Sequence, residues 1–330
     1  MNFTTYIGID VSKLTLDFCV YDQVSRHFIR IENSSDSIEN IFETDLILKQ
    51  LRKTKAFFCI EQTGIYSNLL IQFLQKKKYH FAVPSALHIK YSIGLTRAKT
   101  DKLDAERIAV FASKNVEELR QWIPQREIID ELQALVRLLK KLKTVKGIFK
   151  NRLTEGGKFL NRKIHGIVYN HCIKTVEAIE KDIHQIELDI DTIIQSDNTL
   201  KRLYQILCSV RGVGPVLAHT LIVLTNEFKK FPGPNQFACY AGIAPFERSS
   251  GTSLNKKARI SRLANHEIKS LLHIAAMSAI RSKTEYKLYF DRKVEQNKPK
   301  MLILNAIRNK IIKRVFCCVR ENRLYENRIK

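Results

Sequence analysis

The sequence predicts an α/β layer over roughly the first 115 residues followed by a mostly helical remainder, α/β + α in class. Three observations lead there. Short β-rich runs alternate with helical ones as far as Val83. From Leu132 to Ile193 the apolar residues step by three and four instead. After Leu200 the composition becomes mixed and globular, with helical stretches at 265–281 and 300–320.

Residues 5–22 read TYIGIDVSKLTLDFCVYD, two β-rich runs joined by a polar stretch, which predicts a hairpin. Residues 56–60, AFFCI, predict a short buried strand ending at Glu61. Ile65 to Gln75 reads as a helix, and Tyr79 to Val83 as a strand closed by Pro84. In the middle, Leu132, Leu135, Leu139 and Leu142 share a register that Phe149 and Leu153 continue past Lys146. Val176, Ile179, Ile183, Ile186, Ile190 and Ile193 keep the same spacing without a break. Such seams bury a narrow stripe against another helix. They fit an antiparallel helical hairpin, a dimerising coiled coil, or two core helices of a larger bundle. Gly156, Gly157 and Gly166 lie between the runs, where the chain is expected to turn back. The expected domains are 1–115, a helical segment 116–200, and a C-terminal domain 201–330.

The 56 basic and 33 acidic residues leave a net charge of +23, which favours a polyanionic partner, nucleic acid first. A membrane surface fits less well, because the basic residues lie within folded-looking segments and no lipidation motif or apolar span is present. The seven cysteines form no CxxC pair, so neither a zinc site nor a disulfide framework is expected, and a reducing cytoplasm is the simplest compartment.

Four features carry candidate chemistry. Asp10 ends the first strand and Glu61 a later one, while Asp101 and Asp104 stand three apart on a helix and share a face. Carboxylates placed so can converge at one sheet edge, where, left unpaired, they repel one another and bind Mg²⁺ or Mn²⁺ as hard oxygen ligands. Against this, Asp101 and Asp104 can equally pair with Arg97, Lys99, Lys102 or Arg107 on a solvated helix. Second, Ser249 and Ser250 precede Gly251 in a polar basic loop from Glu247 to Arg262. A hydroxyl beside Lys256, Lys257, Arg259 and Arg262 can attack a phosphodiester, or the loop can simply touch phosphates. Third, Gly212-Val213-Gly214 between two apolar runs resembles a helix-hairpin-helix turn whose backbone N–H groups reach a phosphate; a plain packing turn is the alternative. Fourth, ten Lys or Arg residues fall between Arg137 and Lys163 against the single acid Glu155, Lys140, Lys141, Lys143 and Lys146 among them. That imbalance disfavours a salt-bridged surface and favours a polyphosphate track, with a solvated helix face as the alternative.

Taken together these residues resemble the DEDD transposases of the IS-one-ten family of insertion sequences, over nearly the whole chain. The resemblance rests on YIGIDVSK, FCIEQTGIY and TRAKTDKLDAERIA, then on SVRGVGPVLAHTL, FACYAGIAPFERSSGTS and ARISRLANHEIKSLLHIAA. It implies a RuvC-like, RNase H-fold metal site of Asp10, Glu61, Asp101 and Asp104. It also implies a covalent serine nucleophile at Ser250, with Ser249 adjacent. Relatives carry SKRGN where this chain has SRLAN, so Leu263 and Ala264 replace a basic residue and a glycine. The resemblance further implies strand exchange on DNA, in some members guided by a structured non-coding RNA, in dimers or tetramers assembled through the helical middle, and a place at the nucleoid. Three other readings compete. A Holliday-junction resolvase would use the same acids with water as nucleophile. An actin-like or sugar-kinase ATPase would need a second Gly-rich phosphate loop, and none is found. A scaffold without catalysis would not need all four acids.

Overall fold

The computed structural model describes residues 3–94, 100–250, 254–259, 264–281 and 284–326, with the backbone alone for 93, 246–250 and 254–259. Two compact units result, residues 1–124 and 125–330.

The first unit is built on a five-stranded mixed sheet. The expected hairpin forms from β1 (Thr5–Val11) and β2 (Thr15–Tyr21), and β3 (Arg26–Glu32) adds to it antiparallel. β3 was not anticipated from the sequence. Its face is only partly buried, so it lacks the apolar run that marks β1. Helices α1 (Ser35–Thr44) and α2 (Leu46–Gln50) follow, started by the side chains of Ser34 and Asp45. Next come β4 (Ala56–Ile60), α3 (Asn68–Lys76) behind a short 3₁₀ turn, and β5 (His80–Ala82). Strand order is β3-β2-β1-β4-β5, with β4 parallel to β1 and β5 parallel to β4. Helices α4 (Ala86–Ile93) and α5 (Asp101–Asn115) complete the unit.

Strand alternation divides the sheet's two faces. Ile7, Ile9, Val11, Leu16, Phe18, Phe58 and Ile60 pack with Ile38, Phe42, Leu70 and Leu74 from α1 and α3. On the other face Tyr6, Phe57, Cys59 and Cys19 meet Ala105, Ile108, Ala109 and Phe111 of α5. Gly8 allows α5 to come this close: a Cβ there would lie 2.2 Å from the backbone oxygen of Ala105 and 2.2 Å from the backbone nitrogen of Ala109.

The second unit opens with α6 (Glu127–Phe159) and α7 (Arg162–Ser196). Their seams pack against each other in one chain, so the antiparallel hairpin is the arrangement found. Its direction is visible in the ion pairs Lys143–Glu187 and Lys146–Glu180, which step forward on α6 and backward on α7. The expected turn position needs correcting. Gly156 and Gly157 lie inside α6 and Gly166 inside α7, and the chain reverses at Leu160 and Asn161, where the Asn161 side chain caps α7. Helix interiors tolerate glycine at about 1 kcal/mol each, so the reversal goes to the residue that can cap. Near the end of α7, Ile194 is buried and Ile193 only partly so.

The hairpin shares its core with α8 (Asn198–Ser209), α9 (Pro215–Thr225), α10 (Pro234–Tyr240), α11 (His266–Ala279), α12 (Glu285–Glu295) and α13 (Lys300–Arg320). The stretch expected as a polar loop instead contains a two-stranded ribbon, β6 (Phe246–Ser250) and β7 (Leu254–Arg259). Serine and glycine had marked it as a loop, but antiparallel backbone pairing between 246–250 and 254–259 overrides that composition.

Arg126, ahead of α6, ties this unit together. It pairs with Asp197, the cap of α8, at 2.7 Å, and with Glu227 after α9 at 2.5 Å. The Glu227 side chain is only 4% exposed, so it depends on its cations, Arg126 and Lys229. Replacing Arg126 by Met is expected to cost about 2–3 kcal/mol in urea unfolding at pH 7. The hydrogen bonds from Arg126 hold the Asp197 carboxyl below its usual range. Glu227 is also lowered, because Arg126 and Lys229 outweigh the desolvation of burial. That stability is therefore present at neutral pH and lost as pH falls through the carboxylate range, so the gap between variant and wild type should close on acidification. A gap that stays constant to pH 3 would refute this account.

Candidate active site

Asp10 is the sixth of the seven residues of β1, on the α5 face, in the same alternation as Tyr6 and Gly8. Glu61 follows β4, and its backbone N–H donates to the carbonyl of Ile9, which brings it beside the end of β1. Asp101 and Asp104 lie in the first turn of α5, whose cap is the Thr100 hydroxyl accepting from the N–H of Leu103. Acids in a first turn also suit the helix dipole, so local helix chemistry and site chemistry favour the same residues here.

Asp10 feels the other three acids. The Asp10 carboxyl is pushed up to about 6, first by burial, then by the charges of Glu61, Asp104, Asp101 and Asp17. Two of the acids are held by arginines. Asp104 pairs with Arg107 at 2.8 Å, as the solvated-helix alternative expected, and Asp101 with Arg30 at 3.2 Å. Arg97 and Lys99, the other partners considered, lie outside the described residues; Lys102 stands over the Phe28 ring at 4.3 Å. Among the described residues no three His, Cys, Asp or Glu side chains converge closely enough to hold a metal as they stand. The donor chemistry nonetheless fits a divalent cation: the oxygens are hard, and the like charges that add to burial in raising Asp10 are what a dication relieves.

Asp17 and Arg30 were missed in the sequence. Asp17 stands directly across from Asp10 in the β1–β2 register, and Arg30 across from Asp17 in β2–β3. Asp17 is buried to 7% exposure. The signal was available in the hairpin: a reversal at Ser12–Leu14 pairs position 10 with 17.

The second candidate region is described by backbone. Ser249 and Ser250 end β6, opposite Asn255 and Leu254, and Lys256, Lys257 and Arg259 lie on β7. Gly251 and Arg262 lie outside the described residues. In the helix-hairpin-helix-like turn the two glycines differ. Gly212 has φ +89° and backs onto α11, where a Cβ would meet the carbonyl oxygen of Ala275 at 2.3 Å, so it is a packing glycine. Gly214 is open, caps α9, and precedes Pro215 at the first helical position.

The expectation of a lysine face with few salt bridges is corrected. Lys140 pairs with Glu267, Lys143 with Glu187 and Lys146 with Glu180. The acids come from α7 and α11, which local counting along α6 cannot see. A cavity of about 550 Å³ lies among Leu139, Lys140, Val216, His219 and Leu271. It contains none of the candidate acids. Its His219 ring is neutral, pushed down to about 4 by burial.

Residues 7–156 match the family model described as a transposase of the DEDD type of IS110. Residues 204–291 match the transposase IS116/IS110/IS902 family. Together the two stretches take in well over half of the chain, and the first includes all four acids. The chain belongs to the IS110 family of transposases. It is 25% identical, over 98% of both chains, to a pilin gene-inverting protein of Moraxella lacunata, and equally to one of Moraxella bovis. It is 26% identical to an IS110 insertion-element protein of Streptomyces coelicolor, over 49% of this chain and 39% of that one. The family's enzymes act on DNA, which accords with the +23 charge. Among the described residues no helix is long and apolar enough to cross a membrane.

Proposed function

We propose that this transposase cuts and rejoins DNA strands at a RuvC-like, RNase H-type acidic site, with Ser250 forming a covalent bond to the cut strand. The observation that carries the reading is the placement of Glu61 beside the end of β1 and of Asp101 and Asp104 at the start of α5, close enough for their charges to add to burial in raising the Asp10 carboxyl. The strand order β3-β2-β1-β4-β5, three antiparallel strands followed by two parallel ones, supports the fold assignment. Asp10, Glu61, Asp101 and Asp104 would hold one or two Mg²⁺ or Mn²⁺ ions. Bound there, such ions would supply Lewis-acid activation of the attacking oxygen and stabilise the leaving one.

Ser250 stands where β6 ends, beside a strand carrying Lys256, Lys257 and Arg259. Its hydroxyl oxygen attacks phosphorus, its proton leaves, and the deoxyribose oxygen departs as a hydroxyl. The serine ester conserves the bond energy, so a second strand's hydroxyl can reverse the exchange without ATP. The cations of β7 favour the extra negative charge of the transition state. For DNA contact we assign Gly214, the basic residues of α6 and β7, and Arg262. Gly212 serves by shaping the turn. A second copy of this chain would cover the hairpin tip, where Phe159, Ile164 and Ile167 are each more than half exposed. A structured guide RNA would share the same basic surface.

The test is a denaturing gel of protein incubated with labelled element-end DNA, Mg²⁺ and any guide RNA. Wild type should leave a protein–DNA adduct that Ser250→Ala loses and Ser249→Ala keeps. Cleavage without an adduct, equal in wild type and Ser250→Ala, would transfer the chain to the resolvase reading, with water as nucleophile.

A further inference from the structure

Arg30 does not belong to the four-acid set, yet it reaches into it. From β3 its guanidinium lies 3.2 Å from the Asp101 carboxylate, 3.7 Å from that of Asp17 and 3.4 Å from the Thr15 hydroxyl. The two carboxylates it joins differ. Asp101 is on the first turn of α5 with a side chain 54% exposed, free to swing. Asp17 is buried in the sheet, directly across from Asp10, and cannot follow. A buried carboxylate opposite another carboxylate is unfavourable unless a cation compensates it. Arg30 is the cation that does so, and its remaining reach is spent on Asp101.

We propose that Arg30, anchored by Asp17 and Thr15, is a positioning residue that takes the place of a divalent cation at Asp101 and must release this carboxylate when the cation binds. The inference rests on the metal-site reading above. Anchored at Asp17 and Thr15, Arg30 would stay in place while Asp101 turns to the cation. The protein would then keep its acids apart and partly neutralised until a cation arrives. Arg30 would set the concentration at which that happens, because its own charge competes for the carboxylate. A residue with a merely structural role would weaken cation binding when removed; a competing counter-charge would strengthen it.

The experiment is calorimetric titration of full-length protein with Mn²⁺, without DNA, alongside thermal unfolding in EDTA. Arg30→Gln should bind Mn²⁺ about 5- to 10-fold more tightly than wild type, the range of a coupling of about 1–1.4 kcal/mol. In EDTA it should melt lower, since Asp17 has lost its counter-ion. Arg30→Lys, which keeps the charge, should return the Mn²⁺ affinity towards wild type. Asp10→Asn is the control for the site itself and should lose the binding. If Asp10→Asn abolishes Mn²⁺ binding while Arg30→Gln leaves it unchanged or weaker, the Arg30 inference fails and the metal site stands. If wild type and Asp10→Asn behave alike, the metal-site reading fails and takes this inference with it. Should Arg30→Gln not fold, Arg30→Met and Arg30→Lys give the same comparison, and equal affinity of both would overturn the proposal.

Discussion

Replacing Asp10 by Asn is expected to lower DNA strand cleavage by at least about a thousandfold while making the metal-free chain more stable. The first half follows from the role proposed for Asp10: losing about 4 kcal/mol of transition-state stabilisation corresponds to three powers of ten in rate. The second half follows from its surroundings. Burial and then Glu61, Asp104, Asp101 and Asp17 raise the Asp10 carboxyl to about 6 from an ordinary 3.8. The folded state therefore holds the Asp10 proton more tightly than the unfolded state does. Stability falls as pH rises from about 4 to about 6, and the penalty is complete above that. Asparagine carries no charge and escapes it. Because the site is partly open to water, the expected gain at pH 7 in EDTA is about 1–2 kcal/mol. Urea unfolding from pH 4 to 8 checks this: the Asn variant should gain on wild type across pH 4–6 and keep its lead. A variant less stable than wild type at pH 7 would mean that Asp10 is held by favourable partners rather than crowded by like charges.

Gly8→Ala is expected to be among the most damaging single methyl additions to the first unit. The new Cβ would press on the backbone of Ala105 and Ala109, which cannot rotate away as a side chain can. α5 would have to lift from β1, exposing apolar surface and moving Asp101 and Asp104 away from Asp10 and Glu61. The expected cost is about 3 kcal/mol in urea unfolding, the upper part of the overpacking range, together with loss of cleavage. Gly147→Ala is the matched control. It lies inside α6 with nothing within 4 Å of its would-be Cβ, so the same change should raise stability by about 0.5–1 kcal/mol. A Gly8→Ala protein within about 0.5 kcal/mol of wild type would show that α5 is not seated where Gly8 requires it.

The sequence by itself determined the elements that a short-range pattern can encode. β1, β2 and β4 are apolar runs bounded by polar reversals, and Asp101 and Asp104 stand three apart on the helix expected there. The helices α6 and α7 and their apolar seams follow from residues three and four apart, because a helix seam repeats within two turns, while their pairing within one chain does not. The positions of Asp10, Glu61, Asp101 and Asp104 were legible because each lies at or next to the end or start of such an element. Only the tertiary structure decided the rest, and each instance is a long-range pairing. β3 is a strand because β2 offers it an edge. Residues 246–250 and 254–259 form a ribbon because the two segments satisfy each other's backbone. Lys140, Lys143 and Lys146 are paired because α7 and α11 bring acids to them. Asp17 and Arg30 acquire their roles only from the register of three strands, which joins Arg30 to an aspartate 71 residues away. Local free energies of a few tenths of a kcal/mol choose helix or strand. Which charges face one another is decided when separate elements are packed on the same core.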